Sequence, residues 1–277
     1  MANHTPHTRR TALAAFAGAA ATVCCGDHAL SDSGDTPIDG RRAATTVPVT
    51  AQREAIAPPG APEGLLIRPR SAWAAGRPPK RPMGVEDVKF LLVHHTASSN
   101  VVRDPAAVIQ AVYDFHTSSA KGWPDVVYNF FVAPDGSVWE GRAGSLAGPV
   151  VADATGGNQG FSQLVCLIGN HTVTPPTAAA TESLARTLAW LTIRHELSPW
   201  ADTNATFVSR GSNKFPAGST ITTPIISPHR AVTFTICPGD GVVNQLANLR
   251  RRVFDLVEPT WDQPGLQRAN RVGLRRP

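Results

Sequence analysis

Three side chains have the types that build a catalytic metal centre: His94, His229 and Cys237. His94 closes the apolar run Phe90-Leu91-Leu92-Val93, and His229 follows the short apolar pair Ile225-Ile226. Cys237 lies eight residues further on, within Thr235-Ile236-Cys237-Pro238-Gly239. Strand ends at one edge of a sheet converge, so three separated segments can each deliver one ligand. Two imidazoles and a thiolate leave the fourth position of a tetrahedral zinc ion for water, which is what catalysis at zinc requires. More than 130 residues separate His94 from His229, so spacing alone does not fix the set. His95 is the alternative to His94, with a supporting or hydrogen-bonding place behind the ligand as its ordinary reading. Cys166 is the alternative partner for Cys237, as a disulfide in an oxidising compartment. Its position between Val165 and Leu167 reads instead as a small buried residue. His116 ends a helical pattern, where an imidazolium suits the dipole. His171 and His195, beside a loop and at a helix end, read as surface residues.

The elements that must position these groups alternate along the chain. Val88 to Val93 reads as a short buried strand. Asp104-Pro105 opens a helix, with Asp as N-cap and Pro in the first turn, and Val108, Ile109, Val112 and Phe115 form its apolar stripe. Val126–Val132 and Ser137–Glu140 read as a hairpin across Pro134-Asp135-Gly136. Gln163–Ile168 is another core strand. Pro176-Thr177 begins the longest helix, running to about Leu197, with Leu184, Leu188 and Leu191 on one face. An irregular stretch rich in Gly, Ser, Asn and Pro is expected up to Pro224, then a brief strand at Ile225-Ile226 and a last helix over Gly239–Val257. Interleaved strands and helices predict an α/β fold: a single domain with a mixed central β-sheet flanked by helices.

The ends read differently from the middle. Residues 1–30 have the pattern of an export signal: Arg9-Arg10, then the uncharged, alanine-rich Ala12–Val23, resembling a twin-arginine leader. Cys24 and Cys25 follow it, but Cys24 lacks the leucine three residues earlier that marks lipid attachment. Residues 31–64 have linker composition, residues 65–257 form the expected domain, and residues 258–277 a basic tail. The net charge of +5 comes largely from arginines near the two ends, which suits a solvated tail or loose affinity for anionic polymers. Neither a basic recognition helix nor an aromatic stacking platform supports nucleic-acid binding. No run approaches the roughly 20 apolar residues of a membrane span. With two of four cysteines in the leader, the domain is not a disulfide scaffold.

Five segments occur in one order: Leu92-Val93-His94-His95-Thr96-Ala97, Gly122 to Phe130 (GWPDVVYNF), Glu140-Gly141-Arg142, Ile168-Gly169-Asn170 and Thr235 to Asp240 (TICPGD). Together they resemble the type-2 N-acetylmuramoyl-L-alanine amidase and peptidoglycan recognition protein family, over about Leu65 to Leu256. The resemblance implies a mixed sheet flanked by helices, with Zn2+ at the floor of a groove that takes the peptide stem of peptidoglycan. By position it assigns His94, His229 and Cys237 as metal ligands and Tyr128 as the hydroxyl facing the scissile carbonyl. Thr235 falls at a position near the metal, and Trp123, Arg142, Asp153 and Asn158 fall in the groove. It implies an exported monomer, acting on muramoyl peptides in the cell wall or an equivalent space. The reaction implied is hydrolysis of the bond between N-acetylmuramic acid and L-alanine, the alternative being a module that binds peptidoglycan without cutting it. Glu140 is the one nearby carboxylate for a proton shuttle, though its segment reads as strand packing.

The chain departs from that family's pattern at three places. Pro228-His229-Arg230-Ala231 stands where Gly-His-Arg-Asp is usual, losing a backbone donor and a carboxylate. Val151-Ala152-Asp153 replaces Gly-Ala-His, and Val127 replaces the glycine before Tyr128.

Overall fold

The computed structural model describes residues 55–261 except 86, 159, 199, 201 and 202. The leader with Arg9-Arg10, Cys24 and Cys25, most of the linker, and nearly all of the basic tail lie outside the described residues. Among the described residues, eight strands appear in chain order: β1 (Ile67–Arg68), β2 (Phe90–His95), β3 (Phe130–Val132), β4 (Val138–Glu140), β5 (Ser162–Leu167), β6 (Asn204–Val208), β7 (Thr220–Pro224) and β8 (Ile226–Pro228). The helices are α1 (Pro105–His116), α2 (Ala178–Arg194), the single turn α3 (Asp240–Val243) and α4 (Leu246–Trp261).

Six strands form one sheet in the order β1-β4-β3-β5-β2-β8. Every pairing is parallel except the β3–β4 hairpin. The two longest strands, β2 and β5, are buried at every position, the pattern of parallel strands covered on both faces. Pro228 lies on β8, the edge strand, where a lost N–H costs no interior ladder bond. That is how the sheet tolerates the proline ahead of His229.

The helices start where side chains can cap them. The Asp104 carboxylate accepts from the Ala107 N–H at 3.2 Å, and the Thr177 hydroxyl from the Ala180 N–H at 3.0 Å. α2 lays Leu184, Leu188 and Leu191 into the core, and Trp190 meets Phe130 edge-on at 5.4 Å. The final helix is broken rather than continuous: α3 stops at Val243 and α4 restarts at Leu246.

Residues 203–224, expected to be irregular, form an antiparallel hairpin of β6 and β7. Burial alternates along both strands, and inward-facing Phe207 stacks on Phe90 at 5.1 Å. The period-2 signal was present in Asn204-Ala205-Thr206-Phe207-Val208, but the Gly, Ser, Asn and Pro of the tip concealed it. Residues 55–64, within the expected linker, are fastened to the domain. Ile56 exchanges two backbone hydrogen bonds with Ile67, and the Trp190 indole donates to Pro59 O at 3.1 Å.

Candidate metal centre

β2 and β8 run parallel with Val93 opposite Pro228, so the next residues, His94 and His229, emerge side by side. Their ring centroids are 4.2 Å apart. Successive side chains of a strand point to opposite faces, so His94 and His95 cannot share a site. Cys237 returns to the pair because the Arg230 N–H donates to Cys237 O at 3.0 Å, closing the intervening loop. Donor atoms of His94, His229 and Cys237 lie within 4.8 Å of one another, with Cys237 Sγ 3.6 Å from His94 Nδ1.

The loop that carries Cys237 is fixed on two sides. The Thr235 hydroxyl accepts from the Cys237 N–H at 3.2 Å, so this side chain orients the cysteine backbone. Beyond it, Gly239 presses against the chain at His171: a Cβ there would sit 2.0 Å from His171 O, and φ is +90°. Only glycine permits this approach. The Asp240 and Gly241 N–H groups donate to Thr172 O and His171 O. His95 completes the support, because its Nδ1 accepts the His171 N–H at 3.0 Å. His95 thus acts behind the cluster, through the 171–174 loop. His171 is itself buried rather than a surface residue.

Tyr128 lies two residues before the start of β3. The buried Asn129 side chain anchors this point by accepting the Leu164 N–H and donating to Ser145 Oγ and Val150 O. Gly141 allows the return strand to pass, since a Cβ would lie 2.4 Å from Tyr128 O. The Tyr128 ring is 5.1 Å from that of His94 and 5.7 Å from that of His116. Tyr128 is 2% exposed, and the three metal-type residues are at most 5% exposed.

The residues donate to and accept from their own fold in ways the sequence did not reveal. Arg142 is buried, with Nε donating to Val126 O, Nη1 to Val151 O and Nη2 to the Asp153 carboxylate. Asp153 therefore forms an ion pair with Arg142. Asn158 is wholly buried and bridges Thr155 O and the Ser162 hydroxyl. Trp123 is half-buried, edge-on to His116 at 5.1 Å. The Glu140 carboxylate accepts from the Arg70 and Leu146 N–H groups, so it is a packing group rather than a proton shuttle. Val127 fills the core, and its N–H donates to His116 Nδ1 at 3.2 Å. Cys166 is buried in its apolar strand and forms no disulfide with Cys237.

Burial keeps the cluster's imidazoles neutral. It holds His94 well below the usual histidine range, with the neighbouring His229 and His95 adding to the effect. Burial, then His95, lowers His229 to about 3. Neutral imidazoles with lone pairs are what a metal ion requires. Buried His94 Nε2 and His229 Nδ1 have no hydrogen-bond partner, and His94 Nδ1 is the nitrogen that faces Cys237 Sγ. Donors on one tetrahedral zinc lie about 3.3–3.6 Å apart, given Zn–N and Zn–S lengths of about 2.0 and 2.3 Å. Cys237 Sγ and His94 Nδ1 stand at that spacing, all three donors lie within 4.8 Å, and two imidazoles with a thiolate suit zinc, so the residues fit it.

His116 differs from its expected imidazolium. Burial first, then the charges of Arg142 and Lys121, lower it to about 3. Burial and Arg194 lower His195 to about 4. Between pH 6.5 and 4 the unfolded chain therefore protonates both histidines while the folded chain leaves them neutral. Stability is present above pH 6.5 and is lost as pH falls, by about 1.4 kcal/mol per pH unit for each group. Denaturant melts of the metal-free protein should show this. His116→Asn, whose Oδ1 can accept the Val127 N–H, should flatten the slope by one such increment; an unchanged slope would refute the account.

Residues 84–240, more than half of the chain, match the family model described as N-acetylmuramoyl-L-alanine amidase. The chain belongs to that family. It is 30% identical over 190 residues to the N-acetylmuramoyl-L-alanine amidase of Sus scrofa, covering 65% of this chain and 26% of that protein. It thus spans about a quarter of that relative's length. Peptidoglycan-recognition protein SC1a of Drosophila melanogaster is 28% identical over 190 residues, covering 66% of this chain and 85% of that one. Among solved structures, the fold matches Drosophila PGRP-SA with a TM-score of 0.51 at 20% identity, over 66% of this chain and 90% of that chain. Wild-type Drosophila PGRP-LB matches with a TM-score of 0.50 at 21% identity, over 65% of this chain and 92% of that chain. No helix among the described residues is long and apolar enough to cross a membrane.

Proposed function

We propose that this chain is a zinc-dependent amidase that hydrolyses the bond between N-acetylmuramic acid and L-alanine in peptidoglycan. The observation that carries this reading is the buried triplet of His94, His229 and Cys237 with donors within 4.8 Å, beside Tyr128. Zinc held by the two imidazoles and the thiolate would supply Lewis acidity and an acidified water at neutral pH. The remaining steps belong to the protein. Thr235 and the His95–His171 contact hold the cysteine loop in register. The Tyr128 hydroxyl donates to the scissile carbonyl oxygen as negative charge develops on it, a contribution of roughly 3 kcal/mol for one oriented donor. Trp123 lines the groove, and the Arg142–Asp153 pair shapes its wall. The leader at residues 1–30 supports export to the cell wall or an equivalent space, with the domain acting as a monomer. Recovery of the processed chain only from cytoplasm would reverse that part of the reading.

A second reading, a module that binds peptidoglycan without cutting it, is favoured by Asp153. Its carboxylate is tied to Arg142 where a groove histidine is usual. Purified, zinc-loaded protein should release free stem peptide from muramoyl peptides, and a chelator should stop the release. Binding without release under full zinc loading would select the second reading.

A further inference from the structure

His229 and Cys237 sit at the two ends of one loop, and the tip of the β6–β7 hairpin grips that loop from outside the sheet. Three consecutive residues of the tip do this. The Ser212 hydroxyl donates to Val232 O at 3.1 Å. The Asn213 side-chain amide pairs with both main-chain groups of Phe234, accepting its N–H at 2.9 Å and donating to its carbonyl at 3.2 Å. The Lys214 ammonium donates to Arg230 O at 2.8 Å and to Ala231 O at 3.0 Å. Four of the seven residues between the histidine and the cysteine are therefore held by main-chain contacts to one short segment.

The chemistry of these contacts suits a brace. His229–Ala231 is a single 3-10 turn whose last carbonyls would otherwise lack partners, and Ala231 offers no polar side chain to fix it. A cation bridging two such carbonyls forms charge-assisted hydrogen bonds, stronger than neutral ones. The hairpin itself is rigidly founded: its five paired positions and the Phe207–Phe90 stack attach it to the sheet that carries His94. The tip also meets the groove segment, where the Arg210 N–H donates to Gly157 O at 2.7 Å.

We propose that this hairpin tip sets the geometry of the metal centre, with Lys214 as its principal positioning residue. Metal affinity depends on ligands held within about 0.2 Å of ideal distances. Here the second and third ligands share a loop in which Val232 is the one fully buried apolar side chain between them, while Phe234 is 67% exposed and Ile236 is 42% exposed. This inference rests on the zinc reading of the triplet.

The test uses the full chain, stripped of metal, and three measurements: zinc affinity by chelator competition, the cobalt(II)–thiolate absorption spectrum, and metal-free stability in denaturant. Lys214→Met should weaken zinc binding by about 10- to 100-fold, the usual cost of removing an outer-shell partner. It should shift the cobalt spectrum and leave the metal-free unfolding midpoint nearly unchanged. Lys214→Arg, which keeps the cation, should recover most of the affinity. Zinc binding by Lys214→Met within twofold of wild type would overturn the inference. So would a loss of metal-free stability large enough to account for the lost affinity. If Lys214→Met does not fold, Asn213→Ala carries the same comparison, and unaltered zinc affinity there would overturn the inference equally. Wild-type protein that takes up no zinc would instead sink the metal-site reading itself.

Discussion

Tyr128→Phe is expected to slow release of stem peptide from muramoyl peptides by about a hundredfold, with zinc content and KM nearly unchanged. The ring is buried, edge-on to Phe131 at 5.5 Å and beside His94, and a phenylalanine ring occupies the same space. On the proposed amidase reading, what the variant lacks is one donor facing the carbonyl oxygen, in surroundings from which water is largely excluded. A donor that acts only as charge develops affects kcat and leaves ground-state binding alone. If the variant cleaves as fast as wild type, the amidase reading stands but its oxyanion donor must be sought elsewhere.

Cys237→Ser is expected to lose both zinc and activity. Serine is nearly isosteric but remains a neutral hydroxyl at pH 7, so the site loses its thiolate and its charge. The fall in affinity should exceed the roughly 10- to 100-fold typical of a supporting residue. The loop should persist, because its anchors are main-chain contacts: Arg230 N–H to Cys237 O, and Gly241 N–H to His171 O. Elemental analysis of the purified variant is the measurement, against about one zinc per wild-type chain. Full zinc occupancy in Cys237→Ser would remove the cysteine from the ligand set. Full occupancy in His94→Ala, with loss in His95→Ala, would exchange the two histidines.

Alternating elements, capped helix starts and continuous apolar strands were readable in the chain, and they define an α/β fold with a mixed sheet. Asp104 and Thr177 begin helices because their side chains satisfy local N–H groups, a property of four or five consecutive residues. Phe90–Val93 and Gln163–Ile168 read as buried strands because length and composition allow little else. The family was legible for a related reason: its motifs are short runs of consecutive residues that can be read without the fold.

What the sequence could not decide was which side chains meet. His94 and His95 are equivalent in composition and adjacent in sequence. The strand's two-residue period and the β2–β8 register send one towards His229 and Cys237 and the other behind, to His171. His116 looked suited to a charged helix terminus, but burial beside Arg142 and Lys121 makes it neutral. Arg142 and Asp153 were separate groove candidates until the fold joined them as an ion pair. The β6–β7 tip had only loop composition to show, yet Lys214 reaches the turn that carries His229. Local pattern is fixed by neighbours in the chain, whereas protonation, pairing and ligand geometry depend on desolvation and on distances between segments far apart in sequence. Those come into existence only when the sheet closes.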